Sequence, residues 1–183
     1  FSPMKNEQAQ IKAISYYLPE ETLSNSDLVR IFPQLNKEEI FRTTGVKERH
    51  ITPPGIIGSD LAYLSAEKFF HEHPIKKEEI DFLLYCTHGL DFKGPSSSCI
   101  LHERIGLPNK CGALDIPYGC TGFTYGIAIA KSLIESKLAR NVLLLTSDIP
   151  STVIHPGNHD LRAIFGDAGA CTLISVSKDD AFI

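Results

Sequence analysis

Ala113-Leu114-Asp115-Ile116-Pro117-Tyr118-Gly119-Cys120-Thr121-Gly122-Phe123-Thr124-Tyr125-Gly126 is the stretch whose reading decides the fold. Ala113 to Ile116 reads as a short strand, and a glycine-containing turn ends it. Phe123, Ile127, Ala130, Leu133 and Ile134 then recur near helical spacing, which predicts a long helix from Cys120 to Leu138. The first half of that helix has little polar surface, so burial is expected there. A strand passing through a tight turn into a buried helix is a building unit of layered α/β domains.

Outward from this unit the same alternation continues. Downstream, Val142 to Thr146 reads as a parallel-type strand, and Cys171 to Val176 is β-rich. Upstream, Ile80 to Thr87 reads as a buried strand, and Ser96 to Ile105 as a helix after Pro95, with Ser96-Ser97-Ser98 as its N-cap. Ser59 opens another helix, with Leu61, Leu64, Ala66, Phe69 and Phe70 near helical spacing and Pro74 beyond its end. Ile11 to Tyr17 is a strand ended by Pro19. Ser24 to Asp27 supplies caps for a short helix through Ile31, and Asn36 caps a second over Lys37 to Arg42, ending near Gly45. The charged run Lys47 to His50 is expected at the surface. The fold class is therefore α/β, with a largely parallel sheet.

Composition narrows the function classes. A chain of 183 residues and 20.2 kDa suits one domain or half of a two-domain enzyme. With 43% hydrophobic and 22% charged residues it can bury a core, which excludes global disorder. A net charge of -4 and a pI near 6.0 argue against nucleic acid as a partner. No apolar run reaches about 18 residues, so no membrane partner is expected. The polar start, Phe1 to Gln10, has no apolar signal core, which predicts a cytoplasmic chain. The five cysteines are odd in number and form no C-x-x-C pair, so neither a metal site nor a disulfide framework is expected.

Cys120 is the residue that carries chemistry. At or near a helix's first turn, free N–H groups and the positive dipole end favour an anion, and hence the thiolate. Gly119 and Gly122 remove side chains on either side, so a substrate can approach the sulfur. The arrangement is a nucleophile elbow in thiol form, and the Cys120 N–H can serve as one oxyanion donor. A merely structural cysteine at a helix start fits the same spacing equally well. Cys86, Cys99, Cys111 and Cys171 lack the glycine flanks and are read as structural.

Four segments together resemble a known family. They are Tyr16 to Glu20 with Ser24 to Leu28; Thr43-Thr44-Gly45-Val46-Lys47-Glu48-Arg49-His50-Ile51; Gly119-Cys120-Thr121-Gly122-Phe123; and Phe165-Gly166-Asp167-Ala168-Gly169-Ala170. In order and spacing they resemble the motifs of β-ketoacyl-acyl carrier protein synthase III, a condensing enzyme of the thiolase superfamily. The resemblance implies a thiolase-like fold, in which residues 1–183 are the N-terminal half of a duplicated α/β/α/β/α architecture with a five-stranded mixed sheet. The C-terminal half, with the family's catalytic His and Asn, is then absent from this chain. None of the seven histidines here matches that catalytic His.

The implied reaction is decarboxylative condensation. Cys120 takes an acyl group from a thioester, and a malonyl-type thioester then gives a β-ketoacyl thioester. No cofactor is implied; thioesters of coenzyme A or acyl carrier protein are the substrates. A homodimer is expected, with acyl carrier protein as partner. Thr43, Phe92, Gly119, Phe123, His159 and Arg162 fall at or near the family's substrate-binding positions. For Phe92 core packing is an equal reading. His88, after a strand end, is a further candidate to approach a pocket. Asp167 and Gly169 are read as shaping a turn. Relatives that prime from coenzyme A clamp its adenine between Trp and Arg. The chain has no Trp; Glu39 stands at that position, Thr43 replaces a nearby Arg, and Arg162 is displaced. These departures favour a carrier protein or an unusual thioester as donor. The alternatives are acyl transfer to an alcohol or amine, and a non-catalytic partner subunit.

Overall fold

The computed structural model describes residues 8–92 and 94–177, so most of the polar start lies outside it. Five strands form one sheet: β1 (Gln8–Tyr17), β4 (Phe82–Cys86), β5 (Gly112–Ile116), β6 (Asn141–Asp148) and β7 (Ala168–Ser177), in the order β1-β7-β6-β4-β5. β4 runs parallel to β5 and β6, and β7 runs antiparallel to β6 and β1. The sheet is thus mixed: β6, β4 and β5 pair in parallel at one side, and β7 runs against all the other strands.

The order of strands explains the layers. From β4 the chain steps outward through helix α4 (Ser97–Ile105) to β5, then returns across β4 through helix α5 (Gly122–Glu135) to β6. Right-handed crossovers in opposite directions put α4 and α5 on opposite faces. Strand alternation feeds both faces. Leu83, Tyr85, Leu143, Leu145 and Leu173 pack beneath α4 and α3 (Gly58–Glu72), meeting Ala62, Ala66, Phe69, Leu101 and Ile105. Leu84, Cys86, Val142, Leu144 and Ile174 meet Ala130 and Ile134 of α5. Central strands covered on both sides read as continuous apolar runs, as Leu143-Leu144-Leu145 does. Each such buried Leu or Ile contributes about 1.5–3 kcal/mol.

A third cluster sits beside the sheet. Helices α1 (Asn25–Ile31), α2 (Lys37–Thr44) and α7 (His159–Ile164) bring together Leu28, Ile40 and Ala163. Ser24 and Asp27 form the capping box of α1, Asn36 caps α2, and Gly45, at φ 72°, ends α2 in the left-handed conformation that glycine tolerates. These caps stand as the sequence reads. The short pair β2 (Thr22–Ser24) and β3 (Glu48–His50), and the helices α6 (Pro150–Val153) and α7, are additional.

Several expectations change. The run Lys47 to His50 is not uniformly on the surface: Arg49 is 3% exposed. Its guanidinium donates to Leu23 O, Asn25 Oδ1 and Ala163 O at 2.7–2.9 Å, stitching β2, α1 and α7 together. Burial lowers its pKa, against a smaller opposing pull from Glu48. Ser96 holds the N-cap position of α4, but its side chain makes no capping bond; instead the Asp115 carboxylate accepts from the Ser97 and Ser98 amides at 2.9 and 2.7 Å. Helix α5 starts at Gly122 rather than Cys120, and its first half is not buried: Phe123 and Tyr125 are exposed. Only the stripe Gly122, Gly126, Ala130 and Ile134 is fully buried, with Ile127, Ile129 and Leu133 partly buried beside it. No helix among the described residues is long and apolar enough to cross a membrane.

Asp167 and Gly169 are architectural, but Gly169 does not shape a turn: it lies within β7, paired with both neighbouring strands. Asp167 is buried and accepts from Thr52 N, Ser151 N and Ser151 Oγ. A Cβ on Gly169 would lie 2.3 Å from the Leu61 carbonyl oxygen, so only glycine lets α3 lie this close on β7.

Candidate active site

The parallel strands β4, β5 and β6 end at one edge of the sheet, where ligands bind in open α/β folds. There the chain leaves β5 at Ile116, turns through Tyr118, Gly119 and Cys120, and enters α5 after Thr121, its N-cap residue. The turn is closed by Gly122 N donating to Gly119 O at 2.8 Å. Cys120 is therefore one residue before the N-cap, and it is exposed. Among the described residues its N–H meets no backbone carbonyl, so it is free for a ligand oxygen.

The end of β4 forms the seat of this turn. Cys86 Sγ donates to Tyr118 O at 3.3 Å, and Thr87 N donates to Ile116 O at 3.3 Å. A Cβ on Gly122 would lie 2.1 Å from Cys86 Sγ. Gly122 thus serves helix-on-strand packing, not only access to the sulfur. The His88 ring lies against Gly119, with Nδ1 3.5 Å from where a Cβ would stand. His88 is exposed and reaches the elbow from the side.

The other thiols divide by burial. Cys86, Cys111 and Cys171 are buried; Cys99, on α4, is exposed, contrary to a structural reading. Burial pushes the Cys86 thiol up, helped by the Asp148 charge. Burial, with Asp81 nearby, pushes Cys111 up to about 11, and burial raises Cys171 well above the usual thiol range. None of these three is suited to be a thiolate at neutral pH.

The remaining site residues fall into two groups. Phe123, the second residue of α5, lies beside the elbow and is exposed. Phe92 lies in the loop after β4 and is 39% exposed, so simple core packing is not its role. Its neighbour Asp91 pins that loop to α3 by accepting from Gly58 N and Ser59 N at 3.1 and 2.8 Å. Thr43, His159 and Arg162 belong to the cluster of α1, α2 and α7. The Thr43 hydroxyl donates to the carbonyls of Glu39 and Ile40, in its own helix. Arg162 donates to Pro156 O at 3.0 Å and lies over the Phe32 ring at 5.8 Å, and the His159 ring meets the same Phe32 edge-on at 5.7 Å. Glu39 pairs with Arg42 at 3.7 Å rather than presenting an aromatic face.

Among the described residues no group of three His, Cys, Asp or Glu side chains is arranged to hold a metal. An open cavity of about 600 Å³ lies at the opposite edge of the sheet, lined by Lys12, His73, Ile75, Arg140, Asn141 and Ser175. It contains none of the predicted site residues. The residues that the sequence does not single out are Asp91, Asp115 and Asp148. Each is an acid at the end of a strand or in a loop; Asp91 and Asp115 accept from backbone amides distant in sequence, and Asp148 accepts from the His88 amide and the Thr87 hydroxyl.

The fold and the site define a thiolase-type α/β unit with a cysteine elbow. A family model described as 3-oxoacyl-[acyl-carrier-protein (ACP)] synthase III matches residues 114–183. The β-ketoacyl-[acyl-carrier-protein] synthase III of Chlamydia caviae is 34% identical over 177 residues, covering 97% of this chain and 52% of the relative. A crystal structure of a 3-oxoacyl-(acyl-carrier-protein) synthase III superposes with a TM-score of 0.92 at 38% identity, over 95% of this chain and 52% of that one. The synthase III of Pseudomonas aeruginosa superposes at 0.86 with 29% identity, over 95% and 53%. The chain is therefore synthase III-like, with the thiolase-type fold that the motifs imply. It spans about half the length of the curated relatives it matches.

Proposed function

We propose that this chain is the nucleophile-bearing N-terminal half of a condensing acyltransferase. The observation that carries the reading is the exposed Cys120 in a glycine turn at the carboxyl edge of the parallel strands, within a chain so similar to synthase III proteins. The Cys120 thiol loses its proton and attacks the carbonyl of an acyl thioester. The donor's thiol leaves, and an acyl-Cys120 thioester remains. The Cys120 N–H supports the oxyanion of the tetrahedral intermediate. A malonyl-type thioester then loses carbon dioxide, and its carbanion attacks the acyl carbon. A carbon–carbon bond forms, the bond to Cys120 Sγ breaks, and a β-ketoacyl thioester is released in fatty-acid or polyketide-type synthesis. The acid–base groups for decarboxylation belong to the second half, which also covers the apolar face of α5.

The donor is an acyl carrier protein or an uncommon thioester rather than coenzyme A. Supporting this, Glu39 stands in an ion pair where an adenine-stacking ring is needed, and Arg162 is occupied by Phe32 and Pro156. The active unit is a homodimer without a cofactor of its own. Five free thiols fit a reducing, cytoplasmic setting. The test uses the complete protein with matched acyl-coenzyme A and acyl-carrier donors and a malonyl thioester. β-Ketoacyl product is expected from the wild type, more from the carrier donor, and none from Cys120→Ala. Transfer to an added alcohol or amine without carbon dioxide release would replace condensation by simple acyl transfer. Absence of any acyl transfer by the wild type would leave a partner-subunit role.

A further inference from the structure

Asp148 ends β6 and has no place in the reaction above, yet it reaches the seat of the nucleophile turn. Its Oδ1 accepts two hydrogen bonds from the segment after β4: Thr87 Oγ1 at 2.9 Å and His88 N at 2.8 Å. That same segment touches the elbow at each residue. Cys86 Sγ bonds Tyr118 O and fills the space over Gly122, Thr87 N bonds Ile116 O, and the His88 ring lies against Gly119. One carboxylate oxygen therefore ties the end of β6 to residues 86–88, and these in turn carry residues 116–122 with Cys120.

We propose that Asp148 is a positioning residue for Cys120, acting through the geometry of these two hydrogen bonds and not through its charge. The inference rests on Cys120 being the acyl acceptor, and it deepens that reading. A carbon or sulfur nucleophile displaced by about an ångström loses much of its rate, so a small shift of the seat is enough to be measured. Both bonds use a single oxygen. An asparagine can therefore keep them while removing the charge, which separates the two roles.

The test compares Asp148→Asn, Asp148→Ala and Thr87→Val with the wild type in the complete protein. Read out are the single-turnover rate of Cys120 acylation, the donor concentration giving half-saturation, and the rate of Cys120 alkylation by iodoacetamide, followed by peptide mass. Asp148→Ala should acylate about tenfold more slowly with half-saturation changed by less than about twofold. Asp148→Asn should stay within about twofold of the wild type, and Thr87→Val, losing one of the two bonds to Asp148 along with the Thr87 Oγ1 contacts to Gly89, should fall between. An Asn variant as slow as the Ala variant would overturn the proposal in favour of a charge effect. An unchanged Thr87→Val would overturn it even if Asp148→Ala does not fold. Should the wild type take no acyl group, the acyl-acceptor reading fails by itself. The alkylation rates need no donor: the same ranking of variants would still uphold the positioning role, and equal rates would refute it.

Discussion

The two faces of the sheet are covered by helices of similar length but different design. On one face α3 buries Leu61, Ala62, Ala66 and Phe69, and α4 adds Leu101 and Ile105. Large side chains point inward and the outer surface carries charge, such as Arg104 paired with Asp60 at 2.7 Å. On the other face α5 meets the sheet through Gly122, Gly126 and Ala130, so closely that a Cβ on Gly126 would lie 2.7 Å from Leu144 Cδ1. Ile134 is buried there too, but the aromatic residues of the first turn face outward, with Phe123 38% and Tyr125 53% exposed. An exposed aromatic surface of this kind suits a covering layer, which the proposed second half would supply. The α3 face is finished within this chain; the α5 face suits a second layer, and Cys120 sits at its entrance.

Substitutions should break this comparison in order of size. Phe69→Ala, on the finished face, is expected to cost about 3–5 kcal/mol, read from the denaturant midpoint. Gly169→Ala drives a Cβ against the Leu61 backbone and should cost about 1–3 kcal/mol. Tyr125→Ala should cost less than about 1 kcal/mol in this chain, and clearly more in the complete protein if a second layer covers α5. A cost as large as that of Phe69→Ala in the 183-residue chain would contradict the asymmetry.

Thiol titration sharpens the same contrast. Cys86, Cys111 and Cys171 are raised in the folded state, so folding favours their protonated forms. The stability they contribute is complete below the ordinary thiol value of 9.0 and is lost as pH rises through the folded values, about 11 for Cys111. The Tm should therefore fall from pH 9 towards pH 11, measured by calorimetry. At pH 8 maleimide should label Cys99 and Cys120 and spare the other three.

Much of this was legible in the sequence, for identifiable reasons. Strands such as Val142 to Thr146 and caps such as Ser24, Asn36 and Gly45 are local signals, and local physics decided them. The elbow was legible because glycines flank Cys120 at a strand-to-helix junction. What was hidden depends on partners far along the chain. Arg49 looked like part of a surface charge run because its acceptors, Leu23 O and Ala163 O, lie 26 and 114 residues away. The exposed first half of α5 was hidden because an apolar helix reads alike whether its second face meets solvent or another layer. The pairing of Arg162 with Phe32 was equally beyond sequence spacing.

The most direct test is intact-mass measurement of the complete protein and its Cys120→Ala variant after incubation with an acyl-carrier thioester. The account predicts one acyl group on the wild type, located at Cys120 by peptide mapping, and none on the variant. Equal acylation of the two, or an acyl group located on Cys99, would contradict it.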